Sequence, residues 1–205
     1  MSTPQTPPPA LLFMSIFSGC WDAFWPRLKP ELAALYGPLA YCSEPFAFDH
    51  TAYYTKEFGQ SLTRRVLGFA RLLEQDRLAE AKLAANQLEQ AYGQTAAGGV
   101  FHRIFNIDPG LLSLERLVLA TGKNYTHRVY LGSTVWADVT LIYQKGGNRL
   151  EDGSRQKAGW MALPWTFPDY AGAEMQTHLL AMRELYKQNV APLIKAAKEC
   201  ACSKA

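Results

Sequence analysis

The sequence predicts an α+β protein with a mixed, mostly antiparallel sheet, a ferredoxin-like βαββαβ first half, an added β-hairpin and a C-terminal helix. Over residues 10–107, strand-like and helix-periodic runs follow one another as strand, helix, strand, strand, helix, strand. This is the order of a split βαβ fold. The second half then adds strand-like runs and ends in one amphipathic segment.

Each element of the first half has a local signal. Residues 10–18 form a continuous apolar run, which predicts a buried strand. Residues 21–36 carry apolar side chains at helical spacing, and Gly37-Pro38 is a stop signal for that helix. The later elements are expected as strands within 39–49 and 64–73, a helix within 76–93 and a strand at 100–107. We expect that last strand to end in a turn at Asp108-Pro109-Gly110.

The second half is predicted to contain further strands and a final helix. The strands are expected at 111–121, 127–131 and 134–144, and the helix at 171–189. The last two strands form a hairpin that turns at Gly132-Ser133. The polar, glycine-containing stretch 145–159 predicts a loop. Pro192 is expected to end or kink the helix.

The composition is typical of a soluble globular protein and excludes no broad class of partner. Of 205 residues, 48% are hydrophobic and 19% are charged, and the net charge of +3 favours neither nucleic acid nor an anionic membrane. We expect one domain over 10–190, a disordered proline-rich arm over 1–9 and a tail over 191–205. The four cysteines lack zinc spacing, so we expect no metal. The first apolar run is too short to span a bilayer and follows no positive segment, which favours the cytoplasm.

Polar residues gather around the predicted hairpin. With a turn at Gly132-Ser133, His127 lies opposite Asp138, at about 5 Å between Cβ atoms. A carboxylate beside an imidazole fixes the histidine tautomer and makes half of a general-base apparatus, so His127 and Asp138 are catalytic candidates. The same pair also satisfies a half-buried structural histidine. Arg128 is predicted to point to the other face of the sheet.

Lys123 and Arg128 indicate an anionic ligand, because arginine binds phosphate and carboxylate groups through two N–H groups. A phosphate-binding loop is not predicted. Gly122-Lys123 lacks the earlier glycine and the following Ser or Thr that such a loop requires. We therefore expect a small phosphate- or carboxylate-bearing ligand, and the sequence identifies no cofactor.

Two further polar clusters follow predicted strands. Asp49 begins the first cluster and fits a helix start, while Glu57 is a candidate buried acid if its segment folds back over the sheet. The second cluster, residues 164–170, contains Thr166 and Asp169 among bulky aromatic side chains. It is either a rigid lead-in to the final helix or an aromatic wall beside a ligand that Thr166 or Asp169 contacts.

Four stretches, in this order and spacing, resemble a known family. "FDHTAYYTKEFG", "FNIDPGLL", "KNYTHRVYLG" and "LPWTFPDY" are similar to the domain-of-unknown-function family 4416 of bacterial and archaeal proteins, over about residues 10–187. The resemblance implies no activity, but it emphasises polar residues on turns and strand ends, where sites are normally built. The ligand-binding candidates that it implies are Tyr54, Asn106 and Asp108, beside Asp49, Glu57, Lys123, Arg128, Thr166 and Asp169.

These observations together predict a small-molecule site at one end of the sheet. Lys123 and Arg128 would supply charge, and His127, oriented by Asp138, would be the acid or base if chemistry occurs. The alternative is a non-catalytic binding module for RNA or protein, because a ferredoxin-like sheet can stack bases on exposed aromatic side chains. Exposed aromatic side chains around a convergent pocket would favour the first hypothesis, and a flat basic sheet face the second.

Overall fold

The continuous apolar run after the proline-rich arm forms the central strand. The computed structural model describes residues 4–49, 54–59, 61–95, 98–147 and 157–202. Strand β1 (Leu11–Ser18) is buried along its whole length, because it has neighbours on both edges and packed layers on both faces. The other strands are β2 (Leu39–Cys42), β3 (Phe46–Ala47), β4 (Thr63–Phe69), β5 (Gln94–Thr95), β6 (Phe101–His102), β7 (Asn106–Leu112), β8 (Arg116–Thr121), β9 (Val129–Gly132), β10 (Val135–Gln144) and β11 (Gly159–Ala162).

Helices cover both faces of the main sheet. They are α1 (Trp25–Tyr36), α2 (Thr55–Phe58), α3 (Leu78–Tyr92), α4 (Pro168–Ala171) and α5 (Ala173–Cys202). The apolar sides of α1 and α3 pack with Leu12, Met14 and Ile16 of β1. The apolar side of α5, with Leu179 and Met182, packs with Phe13 on the opposite face. Side-chain alternation along β1 therefore builds two cores from one strand.

The main sheet has the order β11-β10-β8-β7-β1-β4-β2, with β3 beside β4 and β9 beside β10. The pairings described are all antiparallel. The predicted α+β class with a mostly antiparallel sheet is thus confirmed. The succession β1, α1, β2, β4, α3, β7 follows the predicted order of the first half, and β8 to β11 extend the same sheet on the side of β7.

The turn predicted at Asp108-Pro109-Gly110 is wrong, because β7 runs straight through these residues. Asp108, Pro109 and Gly110 pair with Ser15, Met14 and Phe13 of β1. The β8 ladder begins only at Gly110, so the proline lies where that ladder stops. The chain instead turns at 113–115, which divides the strand predicted at 111–121.

The hairpin forms as predicted, but its register is shifted by one residue. The turn residues are Ser133 and Thr134, with φ of 51° and 60°, as a mirror-type two-residue turn requires. Val129 pairs with Ala137 rather than Trp136, and a bulge interrupts the ladder next to the turn. The predicted face of Arg128 is consequently wrong, since one more step in this register places Arg128 opposite Asp138.

Both ends of the chain depart from the simple prediction. Helix α5 continues through Pro192 to Cys202, so the proline does not end it. The arm is anchored at its last residues, because Gln75 donates to the carbonyl of Pro8 and the Tyr186 hydroxyl to that of Pro9. In the stretch predicted as a loop, residues 148–156 lie outside the described residues, and β11 begins at Gly159. Among the residues described, none of the helices has the length and apolarity of a bilayer span.

Candidate functional site

A cleft of about 800 Å³ opens at one end of the main sheet. Antiparallel order brings the end of β1 beside the starts of β4 and β7, and the end of β8 beside the start of β10. Side chains from these strand ends, from α3 and from the segment before α4 line the cleft. The predicted residues that line it are Tyr54, Glu57, Asn106, Asp108, Lys123, Arg128, Asp138 and Asp169.

Arg103 organises one wall of the cleft. It donates from Nε and Nη2 to the two carboxylate oxygens of Glu57, at 2.7 and 2.8 Å, and from Nη1 to Glu89 at 2.9 Å. Glu89 also accepts the backbone N–H of Ile107 at 2.7 Å. The hydrogen bonds from Arg103 lower the pKa of Glu57, whereas burial raises the pKa of Glu89 despite its cationic neighbours.

The network continues along β7 toward the centre of the cleft. Arg103 donates to the side-chain oxygen of Asn106, whose amide nitrogen donates to Asp108 at 2.8 Å. Lys82 donates to the carbonyl of Ile107 at 3.0 Å and lies 3.4 Å from the other Asp108 oxygen. Alternation along β7 places Asn106 and Asp108 on one face, so both predicted residues reach the cleft.

Arg64 and Asp169 both line the cleft and form a second ion pair, with 2.6 Å between Nη2 and Oδ2. The Arg64 guanidinium lies 4.2 Å from the Phe48 ring centroid and 5.1 Å from that of Tyr170. Its Nε is buried without a hydrogen-bond partner among the described residues. Burial raises the pKa of Tyr170, so this phenol stays protonated at neutral pH.

Asp138 is the carboxylate of the third ion-paired group in the cleft. Its Oδ2 accepts hydrogen bonds from Arg128 Nε at 2.9 Å and from His127 Nε2 at 3.2 Å. Arg128 also donates from Nη1 to the carbonyl of Lys123 at 2.8 Å. The predicted contact of His127 with Asp138 therefore forms, although β9 begins only at Val129 and the ladder does not set it.

His127 itself does not line the cleft. Its ring stacks on the indole of Trp165, with centroids 4.8 Å apart and planes 13° apart. Trp165 donates from Nε1 to the carbonyl of Val139 at 2.9 Å. Thr166 is likewise turned into the structure, because its hydroxyl donates to the carbonyl of Thr140 and accepts from the Leu163 N–H. Trp165, rather than Thr166, faces the cleft.

Asp49 is the remaining predicted ligand-binding residue, and the structure does not bring it to the cleft. Its side chain is exposed, and residues 50–53 lie outside the described residues. From the same cluster, Tyr54 and Glu57 do line the cleft. Tyr54 packs against Phe17, with ring centroids 4.6 Å apart.

The charges that line the cleft nearly balance. Its described lining contains four carboxylates and the five cationic residues Arg64, Lys82, Arg103, Lys123 and Arg128. Within the described part of the chain, His, Cys, Asp and Glu side chains do not gather in groups of three that could hold a metal. The arrangement therefore suits hydrogen bonding to a polar ligand beside aromatic walls.

Sequence reasoning missed Arg64, Lys82, Glu89 and Arg103. A signal existed for two of them, because Lys82 and Glu89 lie seven residues apart beside the apolar stripe of α3. Charged residues two helical turns apart at the edge of such a stripe share a face and point toward the sheet. Arg103 carried no comparable signal, since its partners come from distant parts of the chain.

The sequence model of the family described as "Domain of unknown function (DUF4416)" matches residues 8–186. This range spans the main sheet, the cleft lining and the first part of α5. The search of curated proteins and the search of solved structures each found no match.

Proposed function

The chain belongs to the DUF4416 family, whose description names no activity, and we propose that it binds a small anionic ligand in this cleft. The ligand would present a phosphate or carboxylate group to the cationic side chains. The observation that carries the proposal is the convergence of Arg64, Lys82 and Arg128 on one concave, aromatic-lined space. Such pockets, with a few convergent polar groups, are the usual form of small-molecule sites.

Donor capacity remains on these cations after their internal pairing. Arg128 uses Nε for Asp138 and Nη1 for Lys123, which leaves Nη2 without a partner among the described residues. Within the described part of the chain, Arg64 donates a hydrogen bond from Nη2 alone, to Asp169. Guanidinium N–H groups that remain unpaired favour binding of a carboxylate or phosphate oxygen. The internal carboxylates hold the cations in place and offset the repulsion between them.

His127 enters the proposal as a positioning residue. Its ring lies behind Trp165 and beside Asp138, and it does not line the cleft. A general base must come within hydrogen-bond reach of the ligand. We therefore assign to His127 the role of holding Asp138 and Trp165 in position. The proposal includes no proton transfer by His127.

The alternative of an RNA-binding sheet is less well supported. An RNA-binding sheet of this kind stacks bases on aromatic side chains of an open face. Here the central strand β1 is buried on both faces, under α1 and α3 on one side and α5 on the other. The exposed aromatic Trp165 instead stands at a convergent pocket, which is the feature expected of a small-molecule site.

Thermal unfolding with and without anions tests the proposal. Inorganic phosphate, ribose 5-phosphate and citrate are added separately to the wild type, to Arg128→Gln and to the control Arg116→Gln, an exposed β8 arginine outside the cleft lining. At a hundredfold excess over its dissociation constant, a ligand stabilises the folded state by about 2.7 kcal/mol. We expect at least one anion to stabilise the wild type and the control, and to stabilise Arg128→Gln less. Equal stabilisation of all three proteins, or none in any, would contradict the proposal.

A further inference from the structure

The indole of Trp165 is fixed on one face and at its nitrogen. His127 stacks on it in a nearly parallel arrangement, and Nε1 donates to the carbonyl of Val139. His127 is in turn held by Asp138, at 3.2 Å. An aromatic side chain held in this way loses little conformational freedom when a ligand binds, which favours tight stacking.

The rest of the indole remains available. Trp165 is 39% exposed and lines the cleft, although His127 covers one of its faces. We propose that the cleft ligand carries a planar ring that stacks on the uncovered part of Trp165. This inference rests on the proposed anion site, and it adds the chemical class of the ligand, an aromatic anion.

Trp165 and Arg128 are connected through His127 and Asp138. His127, which supports the indole, and Arg128, which has an unused N–H, both contact the same oxygen of Asp138, at 3.2 and 2.9 Å. One carboxylate thus supports both Arg128 and the histidine behind the indole, and Trp165 and Arg128 line the same cleft. A ligand that reaches both groups therefore carries a planar ring and a phosphate or carboxylate in one molecule.

Matched phosphate esters test this inference. Phenyl phosphate and cyclohexyl phosphate have similar size and charge, but only the first is planar and aromatic. Isothermal titration measures both with the wild type, Trp165→Leu, Trp165→Phe and the control Trp136→Leu, a β10 aromatic outside the cleft lining. We expect the wild type and the control to prefer phenyl phosphate by about five- to tenfold. Trp165→Leu should lose the preference, and Trp165→Phe should keep part of it.

The outcomes separate this inference from the proposed function. If both esters bind equally to the wild type, the aromatic class is wrong and the anion site stands. If the preference survives in Trp165→Leu, the ring binds elsewhere and the inference is also wrong. If the wild type binds neither ester, nor any anion of the thermal unfolding test, the proposed function fails and the inference fails with it. The comparison of the two esters in the wild type remains decisive even if a Trp165 variant does not fold.

Discussion

Glu57 and Glu89 share one arginine but respond to it differently. Glu57 is partly exposed, and two hydrogen bonds from Arg103 lower its pKa. Glu89 is buried, with 6% of its side chain exposed, and the cost of burying its charge raises its pKa. The carboxylate with less access to water therefore depends more on Arg103 for its charged form.

The first prediction concerns the loss of this shared cation. Arg103→Gln should lower the free energy of unfolding by about 3 kcal/mol at neutral pH, because it leaves the buried Glu89 charge poorly compensated. The exposed Arg116→Gln should change it by less than about 0.5 kcal/mol. Urea unfolding of both variants measures the difference.

The pH dependence follows from the directions of the two pKa values. Glu57 has a lowered folded-state pKa, so its contribution is present above its ordinary pKa of 4.5 and is lost as pH falls through the folded value. Glu89 has a raised folded-state pKa, so its contribution is present below 4.5 and is lost as pH rises through the folded value. The Glu89 effect should shrink the deficit of Arg103→Gln as pH falls from about 7 to about 4.5, and the Glu57 effect should shrink it further below about pH 4.5. A deficit that grows on acidification would contradict this assignment.

The second prediction concerns Asp138, which is 6% exposed and accepts hydrogen bonds from both Arg128 and His127. Asp138→Asn removes the charge that neutralises Arg128, and it should cost about 2 kcal/mol of unfolding free energy. Asp22→Asn, at an exposed position, is the matched control. Equal and small effects of the two substitutions, in chemical denaturation, would show that Asp138 is not the support of this part of the cleft.

Strand β7 shows how an element can overrule its local signals. Asp108-Pro109-Gly110 is a favourable turn sequence, yet it lies in a strand because β1 pairs with β7 along the whole of this stretch. Gly110 has a different reason to be glycine. A Cβ there would lie 2.7 Å from the Val118 carbonyl oxygen and 2.8 Å from a Leu119 methyl carbon, so the close approach of β8 requires it.

The third prediction tests this packing. Gly110→Ala should destabilise the protein by about 2 kcal/mol, because the added methyl forces β7 and β8 apart. Gly159→Ala in β11 is the control, since a Cβ there meets nothing within 4 Å. Gly110→Ala should therefore lower the melting temperature, and Gly159→Ala should leave it unchanged. Thermal denaturation of both variants measures the difference. Comparable melting temperatures would show that β8 adjusts without cost.

Patterns that depend on neighbouring residues were predictable, and patterns that depend on distant partners were not. The buried strand β1 and helices α1 and α3 follow from apolar periodicity, and the structure has them. The hairpin register depends on where the turn lies. The sequence pattern placed the turn one residue too early, so the predicted register was wrong by one residue. Helix α5 passes Pro192, where the local rule predicts an end or a kink.

At the scale of the whole molecule, the same contrast explains which parts of the site could be predicted. Most of the predicted polar residues at strand ends line the cleft, because strand ends meet at the edges of a sheet, whereas Asp49, His127 and Thr166 do not. Their partners could not be paired, since Glu57 and Arg103, or Arg64 and Asp169, are far apart in the sequence. Only the three-dimensional packing of β1, β4 and β7 brings these groups together.

The fourth prediction concerns the N-terminal arm. Removing residues 1–7 should leave the melting temperature almost unchanged, since residues 4–7 are exposed. Removing residues 1–10 also deletes the carbonyl acceptors of Pro8 and Pro9 and the two backbone hydrogen bonds between Ala10 and Leu73. We expect that deletion to cost about 2 kcal/mol, or roughly 4–8 °C in a protein of this size. Equal melting temperatures for the two truncations would contradict a docked arm.

The measurement that tests the anion site most directly is a two-dimensional NMR titration of the whole chain with inorganic phosphate and, separately, with citrate. If the cleft binds the anion, the amide signals that shift should cluster at 121–128, at the starts of β4, β7 and β10 and around Trp165. The shifts should saturate with one dissociation constant, and Arg128→Gln should weaken it at least tenfold, which corresponds to about 1.4 kcal/mol. Shifts spread over exposed lysines without saturation, or saturating shifts centred elsewhere, would contradict a binding site in this cleft.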